Sequence, residues 1–245
     1  MKDLVKIDLY RLGRHKLYWA GCLLALGFTA WFLLVRPIPQ LEKYEAEKVA
    51  ILLNAGISFY FSFFVGLFLG SEWADGILRN KVMAGHSQKA VLGGHYLSLL
   101  AALGGMTLSW LLGALAGGVA LSGSLLFFCL KSLMFNAAFI AVLQAICFRL
   151  RKQSQGIIFT GTIFYMTFVG TLAGNLLYSI SMGRPVLHKI VALLYNTSAI
   201  GQCFAGSGLA DEGLNNPLLQ IPVSLLLMAG ALLLGSLGLN KRSID

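Results

Sequence analysis

The chain has 245 residues, 57% of them hydrophobic and 12% charged, with a formal net charge of +9. A soluble domain runs at roughly 45–50% apolar and about 25% charged, so this composition excludes an ordinary soluble globular protein. It leaves no stretch for a sizeable domain outside the membrane, and an all-α polytopic membrane protein is the expected class.

In chain order, residues 2–16 mix Leu4, Val5, Ile7, Leu9 and Leu12 with charges. They suit a short interfacial helix, with a frayed tail as the alternative. Six apolar segments follow, at about 17–35, 50–70, 91–119, 125–148, 156–178 and 217–239. Each is long enough to cross a hydrocarbon core of about 30 Å at about 1.5 Å per helical residue. Pro37 and Pro39 stop the first, and Pro217 opens the sixth, where proline is tolerated. No small-residue cleavage site follows the first run, so it is expected to remain as a helix.

Basic residues fall mainly in alternate connections, which is a topology signal rather than a nucleic-acid-binding stripe. One side collects Lys2, Lys6, Arg11, Arg14, Lys16, Arg79, Lys81, Lys89, Arg149, Arg151, Lys152, Lys241 and Arg242. The other holds Arg36, Lys43, Lys48, Arg184 and Lys189. The excess predicts cytoplasmic N- and C-termini in a single permease-like domain over 1–245. The outer segment 179–216 contains a mostly apolar patch, residues 190–204, too polar at its middle to span. Such a patch is expected to lie on or dip into the outer leaflet with its backbone covered by protein. Lys131, six positions inside the fourth segment, has two readings: a charge lining a substrate path, or a side chain snorkelling outward.

The densest polar stretch is residues 71–97, SEWADGILRNKVMAGHSQKAVLGGHYL. Residues 71–87 read as one short amphipathic cytoplasmic helix with Glu72 and Asp75 in its first turn and Asp75 four residues ahead of Arg79. Ile77, Leu78, Val82 and Met83 form its apolar face, Gly85 its C-cap, and Ser87 the N-cap of the next helix. This pattern fits either a docking element for a soluble partner or a helix that merely shortens its loop.

The same residues resemble the cytoplasmic segment after the second membrane helix of ABC-2 family permeases, the membrane subunits of ATP-binding-cassette transporters. Glu72, Asp75, Gly76, Arg79, Asn80, Lys81, Gly85, His86 and Ser87 match that motif in order. Gln88 departs from it where the family often has arginine, with Lys89 adjacent. The resemblance implies a bacterial plasma-membrane exporter subunit working by alternating access. Two copies of a separate ATPase subunit would drive it through residues 71–87, and a second permease chain, the same or related, would complete the complex. It implies ATPase-coupling roles for Glu72, Asp75, Gly76, Arg79, Asn80, Lys81 and Gly85, and an amphiphilic cargo such as a peptide, lipid or drug. The chain has no G-x-x-x-x-G-K-[ST] phosphate loop, so ATP hydrolysis is expected in the partner and not here.

No catalytic set or metal motif can be argued from spacing, and no cofactor is expected. The four cysteines read as small apolar filler, and His86 and His95 as near-membrane solvated or capping residues. Asn136 and Gln144, eight apart, and Asn175 are candidates for a polar substrate path, with helix-to-helix bonding as the alternative. Small-residue pairs Gly66/Gly70, Gly113/Gly117 and Gly170/Gly174 allow close helix approach, within the chain or between chains. The competing function classes are a self-sufficient secondary transporter or channel, which would need intramembrane ion sites, and a non-transporting scaffold or sensor. No acidic residue falls within the six segments, which argues against the carrier class.

Overall fold

A computed structural model describes residues 2–38, 41, 43–150 and 152–237. Pro39, Glu42, Arg151, Lys241, Arg242 and the last two residues of the sixth expected segment lie outside the described residues. Each expected apolar segment coincides with a long helix or helix pair, and no strand occurs among the described residues. In order these are α1 (Lys2–Arg14), α2 (Lys16–Val35), α3 (Ala46–Leu53), α4 (Ala55–Ala74), α5 (Ile77–Met83) and α6 (Gln88–Ala116). There follow α7 (Gly123–Cys147), α8 (Gln153–Ile180), α9 (Pro185–Thr197), α10 (Ala199–Ser207) and α11 (Pro217–Ser236).

Six of these crossings are apolar and long enough for a bilayer, with α3 and α4 forming one span broken only at Asn54. An even number of crossings brings α1, α5 and the end of α11 to one end of the bundle, and α3, α9 and α10 to the other. α7 is the most enclosed span, with 61% of it buried against 17% for α8. The core is therefore built around α4 and α7, while α2, α8 and α11 turn large apolar side chains outward.

Aromatic stacking and small residues set the spacing. Phe61, Phe64 and Phe68 project from α4 into the core, with the last two stacked at 5.5 Å. Trp110 donates to the Ala50 carbonyl (3.0 Å) and Tyr96 to that of Ala137 (3.0 Å). Gly66 and Gly70 sit against Gly156 and Gln153 of α8, and Gly113 and Gly117 against Leu26 and Leu33 of α2. These pairs are thus contacts within the chain. Gly174 meets Tyr195 of α9, and Gly170 alone has nothing within 4 Å.

A polar ladder links α4 to α7. Ser58 donates to Asn136 Oδ1 (2.7 Å), Asn136 Nδ2 donates to Ser132 Oγ (3.2 Å), and Ser132 donates to Asn54 Oδ1 (2.6 Å). Truncating Asn136 to alanine strands the Ser58 hydroxyl in a buried seam. Such membrane hydrogen bonds average about 0.6 kcal/mol and reach about 1.7. Thermal unfolding in detergent should show a loss within that range. A loss above about 3 kcal/mol would mean the seam does more than hold two helices together.

The segment 179–216 folds back as α9 and α10, hinged at Ser198, whose hydroxyl accepts from Gly201 N (3.1 Å). Gln202 of α10 donates to Asn196 O (2.7 Å) and to Ser224 Oγ of α11 (3.1 Å). Ser224 lies seven residues into α11, so α10 dips about 10 Å below that helix's start. Its backbone is covered by α3, α7 and α9, as a non-spanning segment at that depth requires.

Candidate functional site

The polar stretch after α4 does not form one helix. Residues 71–74 complete α4, Asp75 and Gly76 make a turn, and α5 is only seven residues long. Gly76 takes a left-handed conformation (φ 67°), which lets the chain reverse there without a Cβ penalty. Glu72 therefore belongs to the membrane helix rather than to the first turn of the next element. Gly85 (φ 88°) ends α5, and Ser87 caps α6 by accepting from Ala90 N (3.2 Å), both as expected.

This turn sorts the motif residues into two sets. Asp75, Arg79 and Asn80 are exposed, as are Gly85 and Met83. No ion pair joins Asp75 to Arg79 among the described residues, which corrects the expected helix-surface pair. Glu72 and Lys81 point the other way. They are 0% and 7% exposed, and so are corrected from surface anchors to interior groups.

Inside, they meet three residues from other elements. Lys81 Nζ donates to Asp8 Oδ1 of α1 (2.6 Å) and to Glu72 Oε2 (3.2 Å). His95 of α6 places Nε2 at 2.7 Å from Glu72 Oε2 and Nδ1 at 3.3 Å from Asp8 Oδ2. Arg11 of α1 closes the cage on Glu72 Oε1 and lies over the Phe68 ring at 5.5 Å. Two carboxylates face one ammonium and one guanidinium, so these four groups balance in charge. Desolvated charges at these separations are tolerable only when paired in this way.

Apolar contacts seal the cage. Leu4 of α1, Leu78 of α5, Val91 and Leu92 of α6 and Phe148 after α7 form a separate buried cluster beside it, with Trp73 packed against them. Beside the cage, at the joint of α1 and α2, His15 sits edge-on to Phe64 and Phe68. Burial first, then the Arg11 charge, hold its pKa below the usual histidine value. The N-terminal residues are thus a packed helix tied to α6, not a frayed tail.

Oxygen and nitrogen atoms of Asp8, Glu72 and His95 lie within 4.8 Å of one another, the span of a metal-ligand set. The Lys81 ammonium stands among them, at 2.6 Å from Asp8, 3.2 Å from Glu72 and 3.2 Å from His95 Nε2. A cation of the protein's own holds that place, and the cluster works as a clamp joining α1, α4, α5 and α6.

Sequence reasoning missed Asp8 and misassigned His95, which is wholly buried and bonded rather than solvated. A signal was present for both. Asp8 falls between Leu4 and Leu12 at four-residue spacing, so it sits on the apolar stripe of α1. His95 follows Val91 and precedes Leu99 at the same spacing on the buried face of α6. A charged group on such a stripe calls for a buried partner.

The candidate path residues are not gathered around one cavity. Asn136 is spent on the α4–α7 ladder and Gln144 Nε2 on the Leu92 carbonyl (2.7 Å), both fully buried, while Asn175 stands on the loosely enclosed α8. No family model matches this chain, and neither a curated protein nor a solved structure matches it significantly.

Proposed function

We propose that the chain is the membrane-spanning subunit of an ATP-driven exporter of the ABC-2 kind, with α5 as the element that a separate ATPase grips. The observation that carries this reading is the two-faced α5. Arg79, Asn80 and Met83 are presented outward, as is Asp75 in the turn before them, while Lys81 on the same short helix is bolted through the ionic cage to three other elements. A push on the exposed face is transmitted to α4 and α6 because a packed ionic cage yields as a unit and not by bending. In this reading the α1/α5 end is cytoplasmic in a bacterial plasma membrane, as the basic-residue bias favours. The outward apolar faces of α8 and α2 serve lipid and a second permease chain.

The test is reconstitution of the permease with an ATPase encoded beside it, comparing wild type with Arg79→Glu. ATP-dependent transport and stimulated hydrolysis are expected for wild type. At least a tenfold loss of both is expected for the variant, whose insertion and melting midpoint stay unchanged. Full activity in Arg79→Glu removes α5 from the coupling role.

One observation favours a second reading. Glu72 proves to lie in the extended α4 helix, fully buried and bonded to His95, so an acid–imidazole pair does exist at the end of a span. Such pairs occur in proton-coupled carriers. Substrate flux driven by a pH gradient, with no ATPase present, would establish that class instead.

A further inference from the structure

At the opposite end of the bundle, Lys131 of α7 is 6% exposed. Its ammonium reaches back toward the start of α7 and donates to Gln220 Oε1 (2.9 Å) and Asn215 Oδ1 (3.3 Å). Gln220 Nε2 donates to the Leu214 carbonyl (3.3 Å), which fixes the amide with its oxygen toward the lysine. The side chain thus snorkels, yet it ends under a lid of amides rather than in open water.

These neighbours are neutral. Among the described residues Lys131 has no ion pair, although carboxylates stand close by. Glu47 is engaged elsewhere, accepting from the Ser122 and Ser124 hydroxyls (2.9 and 2.6 Å) at the positive end of α7. Glu45 pairs with Lys48 (3.8 Å). These two hydrogen bonds use two of the three ammonium protons. A buried charge left with neutral acceptors is costly unless an anion completes it.

Space for that anion is present. Lys131 lines a cavity of about 350 Å³ whose other walls include Glu45, Glu47, Lys48, Phe127, Phe128 and Pro217, the two carboxylates being those already tied to Lys48 and to the α7 serines. The Phe127 and Phe128 rings lie 5.7 and 5.9 Å from the ammonium. Phe127 is 46% exposed, and its neighbour Leu130 and Pro217's neighbour Leu218 are more so, so an apolar surface adjoins the cavity. A cation at the base, a rim whose carboxylates are tied to Lys48 and to the α7 serines, and an apolar flank together match a zwitterionic phosphate ester carrying acyl chains, with its phosphate toward Lys131.

We propose that this cavity is a lipid site in which Lys131 binds the phosphodiester of a phospholipid headgroup from the adjoining leaflet. The site is independent of the exporter reading.

Native mass spectrometry of the delipidated full chain in detergent tests this, titrating dioleoylphosphatidylethanolamine against dioleoylglycerol, which has the same chains and no phosphate. Wild type should hold the phospholipid about ten- to a hundredfold more tightly, the worth of one charge-assisted contact. Lys131→Met should abolish that preference, and Lys131→Arg should keep it. Equal binding of the two lipids by wild type overturns the proposal without recourse to any variant, as does an undiminished preference in a folded Lys131→Met. Displacement of the phospholipid by glycerol phosphate at equal concentration overturns the lipid assignment in favour of a free phosphate ester.

Discussion

Replacing Lys81 with methionine should destabilise the folded chain by about 3–5 kcal/mol, the cost of stripping one partner from a buried ion cluster. The substitution keeps the volume of the stem but leaves the two carboxylates of Asp8 and Glu72 with Arg11 as the one remaining lysine or arginine side chain paired in the cage among the described residues. Reversal to glutamate would add a third carboxylate and should prevent folding altogether. This revises the sequence-based expectation that Arg79 and Lys81 are equivalent surface anchors. The double variant Asp8→Asn with Lys81→Met should recover part of the loss, because the carboxylate and the ammonium leave together. Denaturation in detergent, followed by limited proteolysis at the α1–α2 joint, reads both quantities. If Lys81→Met melts with wild type, the cage does not hold α1, and the rigid link proposed for α5 fails with it.

A methyl group at Gly113 should be nearly as damaging. A Cβ there would come within 2.5 Å of the Leu26 carbonyl oxygen and 3.0 Å of its Cα, backbone atoms that cannot rotate away. α2 must retreat from α6, and overpacking of this kind costs about 1–3 kcal/mol. Gly104→Ala on the same helix is the control, since nothing lies within 4 Å of that position. It should be neutral or stabilising by up to about 1 kcal/mol. Equal melting points for the two variants would show that α2 and α6 are not in the contact described.

The least enclosed helix, α8, illustrates how far local sequence reaches. Its apolar run alone marks it as a span, since crossing a bilayer requires only about 20 residues with their backbone bonded internally. The ends were less legible. The second span begins four residues before the expected start and continues four past the expected end, to Ala74, because polar Ser71 and Glu72 lower local hydropathy although Ser71 bonds back to the Phe68 carbonyl and Glu72 points inward. That shift moved Glu72 from a solvated helix into the core and removed the reason for excluding a buried acid.

The motif residues show the same division. Gly85 and Ser87 act through backbone geometry within a few residues, so their capping roles were readable from order alone, whereas the turn at Gly76 was missed and its residues were read as one helix. Whether Lys81 or Arg79 faced inward depended on α1, 70 or so positions away in the chain, laying Asp8 against α6. Lys131 likewise had two readings until Asn215 and Gln220, more than 80 residues distant, were seen to meet its ammonium.

By itself, then, the sequence determined the class, the six crossings and the caps at Gly85 and Ser87, because bilayer solvation and backbone strain act on contiguous residues. Tertiary structure alone decided which charges are buried and with whom they pair. The energy of a desolvated charge depends on partners brought from distant helices, and no local pattern records that arrangement.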